Sequence, residues 1–163
     1  MKTSSVLIAA WLLGTTVGTA VFAAEYRDGA NGFRLDLPSF GSVDKLGAQV
    51  LTVAGPPVNG FSPNCNVQVQ SMSGSLEEYE ALTLKQFDSL GFTLIESTRV
   101  AAGARPSIRW HYSGTLRGVE FEWLAVAIER SDQFLLLTCT ALKDAYDEVA
   151  ETFERTVASF RVE

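Results

Sequence analysis

Two dipeptides, Arg117-Gly118 and Ser131-Asp132, constrain the fold of this chain most, because each separates two long stretches of alternating polarity. Two residues between strands make a tight hairpin, and a tight hairpin sets which residues face each other. The first turn pairs Leu116 with Val119, Gly114 with Phe121, Tyr112 with Trp123 and Trp110 with Ala125, all apolar or Gly. The second pairs Trp123 with Thr140, Ala125 with Thr138 and Ala127 with Leu136. One face is thus a continuous aromatic floor. On the other, Leu124, Val126, Ile128, Leu135, Leu137 and Cys139 need a cover, whereas Arg109, His111, Ser113, Glu120 and Glu122 are expected to face water. A sheet apolar on both sides requires helices or loops on both.

Strands are therefore expected over residues 92–100, 107–116, 119–129 and 133–142. Upstream, Phe33, Leu35 and Leu37 alternate with Arg34 and Asp36 until Pro38, and residues 47–54 form a second apolar stretch. Cys65, Val67 and Val69 alternate with Asn66, Gln68 and Gln70 after a loop spanning residues 56–63. The period then changes. Ser75 and Glu78 have the spacing of a capping box and Gly91 sits where a helix ends, so residues 76–90 are predicted to be helical. Tyr146, Val149, Phe153 and Val157 recur at helical spacing and predict a second helix over 145–159. The expected order is β-β-β-α-β-β-β-β-α: an α/β (α+β) sandwich with a mostly antiparallel sheet of six to seven strands flanked by helices.

Residues 1–23 read as a leader. Lys2 carries the sole charge before Glu25, residues 6–13 are apolar, and Val21-Phe22-Ala23 suits cleavage after Ala23. An uncleaved inner-membrane anchor is the alternative, although three Thr and two Gly weaken the second half as a span. Cleavage would leave residues 24–163 as one domain, periplasmic or secreted, without stable membrane insertion. Removing Lys2 leaves 12 Lys+Arg against 19 Asp+Glu, a net charge of −7. Such a chain lacks the basic footprint of a nucleic-acid binder. A domain of this size buries roughly two-thirds of its unfolded surface and needs no metal to fold.

The run Gly60-Phe61-Ser62-Pro63-Asn64-Cys65-Asn66-Val67 is followed by a strand and then Ser75-Leu76-Glu77-Glu78-Tyr79. With Leu137-Thr138-Cys139-Thr140-Ala141 and the closing Ser159-Phe160, it resembles the PsbP-like/DcrB-like family of small exported α/β proteins. The resemblance implies an antiparallel sheet flanked by helices. It implies no single activity, because the family spans photosynthetic accessory subunits, envelope proteins and effector chaperones, and it offers no catalytic motif to carry over.

His111 is the only side chain whose ordinary titration lies near neutral pH. The register makes Glu122 its diagonal neighbour, with Ser113 on the same face, which superficially suggests a hydrolytic triad. No nucleophile elbow surrounds Ser113, and side chains on a flat sheet rarely converge, so cross-strand pairing accounts for them. Asn64 and Asn66, beside Phe61 and the proline-rich loop, are candidate binding residues or turn fasteners, and Arg109, His111 and Glu122 are further binding candidates. Trp110, Tyr112, Phe121 and Trp123 are expected to be core. Glu77, Glu78, Glu80 and Asp88 suit the first helix and lack calcium-loop spacing. One His and two Cys furnish no zinc site. Cys65 and Cys139 either form a disulfide, as an exported chain permits, or serve as small hydrophobes; strand order decides between these.

The expected function is that of a non-catalytic exported accessory protein, without cofactor or metal, that binds a protein partner or small ligand. The alternatives are a partner-specific chaperone or inhibitor of a secreted effector and, more remotely, a hydrolase using His111.

Overall fold

The computed structural model describes residues 24–40, 42–44 and 49–163; the leader and the expected cut after Ala23 lie outside them. The chain runs through β1 (Glu25–Asp28), β2 (Phe33–Asp36), β3 (Ser42–Asp44), β4 (Gln49–Ala54), β5 (Asn64–Ser71) and α1 (Leu76–Leu90). It continues through β6 (Thr93–Ala102), β7 (Arg105–Leu116), β8 (Val119–Arg130) and β9 (Gln133–Leu142). A 3₁₀ turn (Lys143–Ala145), α2 (Tyr146–Ser159) and β10 (Arg161–Val162) follow.

Seven strands form one sheet in the order β3-β4-β5-β9-β8-β7-β6, with every described pair antiparallel. Both hairpins adopt the expected register, from Leu116 against Val119 to Trp110 against Ala125, and from Trp123 against Thr140 to Ala127 against Leu136. Arg117 and Gly118 have φ of 52° and 80°, the left-handed backbone that matches a two-residue turn to the strand twist. On the outer strand β6 the register shifts between Leu94 and Glu96. Such a bulge kinks an edge that would otherwise offer an unbroken template for pairing.

The strand at Phe33–Asp36 does not join this sheet. It forms a second, three-stranded sheet with β1 and β10. Its alternation revealed a half-buried strand but not which core it faces. Phe33 and Leu35 pack with Phe160, Phe153 and Val157 of the C-terminal segment over Leu124, Val126, Ile128, Leu135 and Leu137. The cover of this face is thus α2 together with the small sheet. α1 covers the aromatic face, burying Leu76, Tyr79 and Phe87 against Ile108, Trp110, Phe134 and two alanines of β8.

α1 begins and ends where its signals predict. The Glu78 backbone N–H donates to Ser75 Oγ (3.3 Å), and Ser75 N–H donates to Glu78 Oε2 (2.8 Å). Beyond the helix, Phe92 lies so close to Gly114 that a β-carbon there would stand 2.3 Å from Phe92 Cδ1. Glycine at 114 therefore lets the Phe92 ring reach Trp123, 4.9 Å away between centroids.

β5 lies beside β9, with Cys65 opposite Cys139, and the two are joined in a disulfide across 74 residues of chain. Both cysteines are buried in the α2-side core. The bond ties the first half of the chain to the last strand of the meander. Closing a loop of this length restricts the unfolded ensemble, so replacing both cysteines by Ala is expected to lower stability by about 2–4 kcal/mol. Equal denaturant midpoints for oxidised wild type and the double variant would refute this. Trp123 stacks on Tyr112 at 5.0 Å and 16° and is almost wholly buried. Trp123→Ala is expected to cost about 3–5 kcal/mol in equilibrium unfolding, by analogy with other buried aromatic truncations.

Candidate functional site

On the aromatic face a cavity of about 270 Å³ opens between α1 and the sheet. Its origin is a size mismatch: Ala125 lies in the floor opposite the larger Trp110, with Leu136 diagonal to it on β9. Tyr79 and Phe87 of α1 form part of the roof, and Tyr112 continues the wall. The aromatic set expected to be core is therefore core and also, through Trp110 and Tyr112, a cavity wall. Among the described residues no Asp, Glu, Lys, Arg or His lines this space.

Polar character enters from β5. Side chains on a strand point alternately to its two faces, so Asn66, Gln68 and Gln70 lie on the cavity side while Cys65, Val67 and Val69 face the other core. Gln70 Nε2 donates to Gln68 Oε1 (3.4 Å), and Gln68 Nε2 donates to Asn66 Oδ1 (3.5 Å), forming an amide ladder. At the cavity end Tyr79 Oη donates to Gln70 Oε1 (2.6 Å). The Tyr79 ring also stacks on Phe134 with centroids 4.1 Å apart. Trp110 is 1% exposed, and its indole N–H has no hydrogen-bond partner among the described residues. It lies among the rings of Tyr79 and Phe87.

Arg109, His111 and Glu122 occupy the opposite face. His111 Nε2 donates to Glu122 Oε1 at 2.6 Å, and the imidazole stacks on Tyr146 at 5.2 Å and 18°. Arg109 bonds Glu96 on β6 through Nη1 (3.1 Å) and Glu154 on α2 through Nη2. These side chains were expected to see water. They are instead largely screened, with Arg109 18%, His111 22% and Glu122 16% exposed. The reason is α2, which places Tyr146 and Glu154 over the polar end of the sheet. The pairs join α2, β6, β7 and β8.

The remaining candidates separate again. Phe61 packs edge-on against Phe121 at 4.9 Å, and its loop closes on itself through paired backbone bonds with Val58. Asn64 Nδ2 donates to the Ser62 carbonyl (3.0 Å) and fastens the turn into β5. Of the candidates only Asn66 belongs to the amide ladder. Gln68, Gln70, Tyr79 and Gln86 were not singled out from the sequence. For Gln68 and Gln70 the signal was the polar alternation of β5, readable as bordering a cavity only once β5 is known to neighbour β9; Tyr79 and Gln86 lie on α1 and carried no such signal.

Burial makes the tyrosines of this face hard to ionise. Desolvation pushes Tyr79 up to about 12, and burial followed by the Tyr79 charge raises Tyr112 as well. In the unfolded chain both lose protons near pH 10. Their neutral burial therefore contributes stability that is fully present below pH 10 and is lost as pH rises toward 12. The urea midpoint is expected to be level between pH 8 and 9 and to fall from pH 10 to 12. Tyr79→Phe should show a shallower alkaline decline; an identical slope would show that Tyr79 does not govern it.

No family model and no curated protein matches the sequence. Among solved structures, the chain is similar to cyanobacterial PsbP (CyanoP) from Synechocystis sp. PCC 6803, with TM-score 0.65 and 14% identity over 93% of this chain and 99% of that one. LpqN of Mycobacterium tuberculosis, described as involved in cell envelope biogenesis, aligns with TM-score 0.62 and 12% identity over 85% and 89%. A protein of unknown function and putative regulator from Pseudomonas aeruginosa, PA94, aligns with TM-score 0.59 and 16% identity over 80% and 90%. Likeness at these identities is likeness of architecture: the chain shares the fold of these structures, cyanobacterial PsbP among them, in keeping with the antiparallel sheet flanked by helices that the resemblance implies.

Proposed function

We propose that this chain is an exported, non-catalytic accessory protein that binds a small uncharged ligand in the cavity beneath α1. The observation that carries the reading is the separation of the cavity from the His111–Glu122 pair by the thickness of the sheet. The cavity offers aromatic rings and amides, which suit a ligand with a flat apolar face and a polar edge. The one imidazole, by contrast, is paired with Glu122 and stacked beneath α2 on the far side. General acid–base catalysis requires the titrating group within about 3 Å of the reacting atom. The leader pattern supports export, and the described envelope role of LpqN is consistent with it. No helix among the described residues is long and apolar enough to cross a membrane.

The test is recovery of the protein from the envelope fraction or medium of producing cells, with N-terminal sequencing and native mass spectrometry. The expected result is an N-terminus at Ala24 and, on wild type, an additional small neutral mass. Ala125→Leu, which fills the floor, should lose that mass, as should Leu82→Arg, which puts a charge at the exposed mouth without touching the core. His111→Ala and Glu122→Gln should retain it. Loss of the ligand in the His111 variant with retention in Ala125→Leu would move the site to the other face.

A further inference from the structure

A second cavity, of about 230 Å³, opens on the α2 side of the sheet beside the last turn of that helix. It is independent of the α1 cavity and of the reading proposed for it. Its apolar lining includes Val100 of β6, Val126 of β8 and Val157 of α2. Its polar wall is Arg109, Glu154 and Arg161. Arg109 is held by Glu96 and Glu154 through its two terminal nitrogens, which leaves its Nε–H buried and without a partner among the described residues.

Arg161 is one of the cations of this acidic chain that no described carboxylate pairs. Arg27, Arg34, Arg99, Arg109, Lys143 and Arg155 all face carboxylates within salt-bridge distance. Arg161 faces none among the described residues and donates Nη1 only to the Phe160 carbonyl (2.7 Å). Glu96 and Glu154 both engage Arg109, so Arg161 is the guanidinium of this wall that no described carboxylate pairs, and it lines the same cavity as the three valines. A guanidinium fork matches a carboxylate geometrically, and its hydrogen bonds to an anion are stronger than neutral ones. The volume falls below the roughly 300 Å³ at which pockets begin to hold drug-sized ligands.

We infer that this cavity binds a small monocarboxylate with a short branched apolar tail. The carboxylate lies on Arg161 beside Arg109, and the tail covers Val100, Val126 and Val157. Glu154 disfavours a dianion, and the valines disfavour an inorganic anion.

Isothermal titration of the full chain with 4-methylpentanoate, 4-methylpentan-1-ol and 4-methylpentylamine tests the inference. The acid is expected to bind about tenfold or more tightly than the alcohol, and the amine not at all. Arg161→Gln should reduce acid affinity by about tenfold or more and leave the alcohol unchanged. Ala158→Trp, at an exposed position on the rim, should abolish binding of both while leaving the thermal melt in place. Equal affinity for acid and alcohol, undiminished acid binding by a folded Arg161→Gln variant, or no binding of the acid at millimolar concentration would each overturn it.

Discussion

The locked register of the β7–β8–β9 meander is the constraint on which the rest of the molecule depends. Side chains on a strand alternate with a period of two, so a one-residue slip would exchange the two faces. Trp110, Tyr112 and Trp123 would then meet the face built for α2, and Leu124, Val126 and Leu137 would face α1. The two-residue turns prevent this, and at Arg117 the turn holds a non-glycine residue at φ 52° to do so. With the register held, each helix meets a face of matching chemistry: rings under α1, branched aliphatics under α2.

The pairing of β5 with β9 is the second constraint, and it is made across the longest separation in the large sheet. Hydrogen bonding runs from Asn64 opposite Thr140 to Ser71 opposite Gln133, and the buried disulfide lies within that run. The pairing also delivers the amides. Gln70 reaches Tyr79 only because β5 lies two strands from β8, close enough for its polar face to border the hollow above Ala125. A structural tie and a cavity border thus share one strand, with cysteine and valine facing one side and asparagine and glutamine the other.

The two cavities illustrate how a sheet partitions chemistry. Beneath α1 the lining combines aromatic rings with amides and no charged side chain among the described residues. Beside the end of α2 the walls combine valines with two guanidinium groups and the Glu154 carboxylate. Between them lies the hydrogen-bonded sheet. The His111–Glu122 pair belongs to the second side but is directed at α2, stacking on Tyr146. Burial followed by the nearby Glu122 and Glu154 charges raises Tyr146 further from its ionised form, which suits a ring acting as a packing surface.

Local signals were sufficient for the local structure. The capping box at Ser75, the glycine at 91, the two hairpin turns and the pairing of Tyr112 with Trp123 all rest on interactions between residues close in sequence, so the sequence itself determined them. The strand at Phe33–Asp36 was legible as a strand for the same reason. Its membership of a separate sheet was not, because the partners β1 and β10 lie at opposite ends of the described chain. Whether Cys65 meets Cys139, whether Gln70 borders a cavity, and whether Arg109 sees water all depended on which distant element packs alongside. Those answers came only from the tertiary structure. Alternation states that a side chain points to one face of a strand, but long-range packing alone decides what waits on that face.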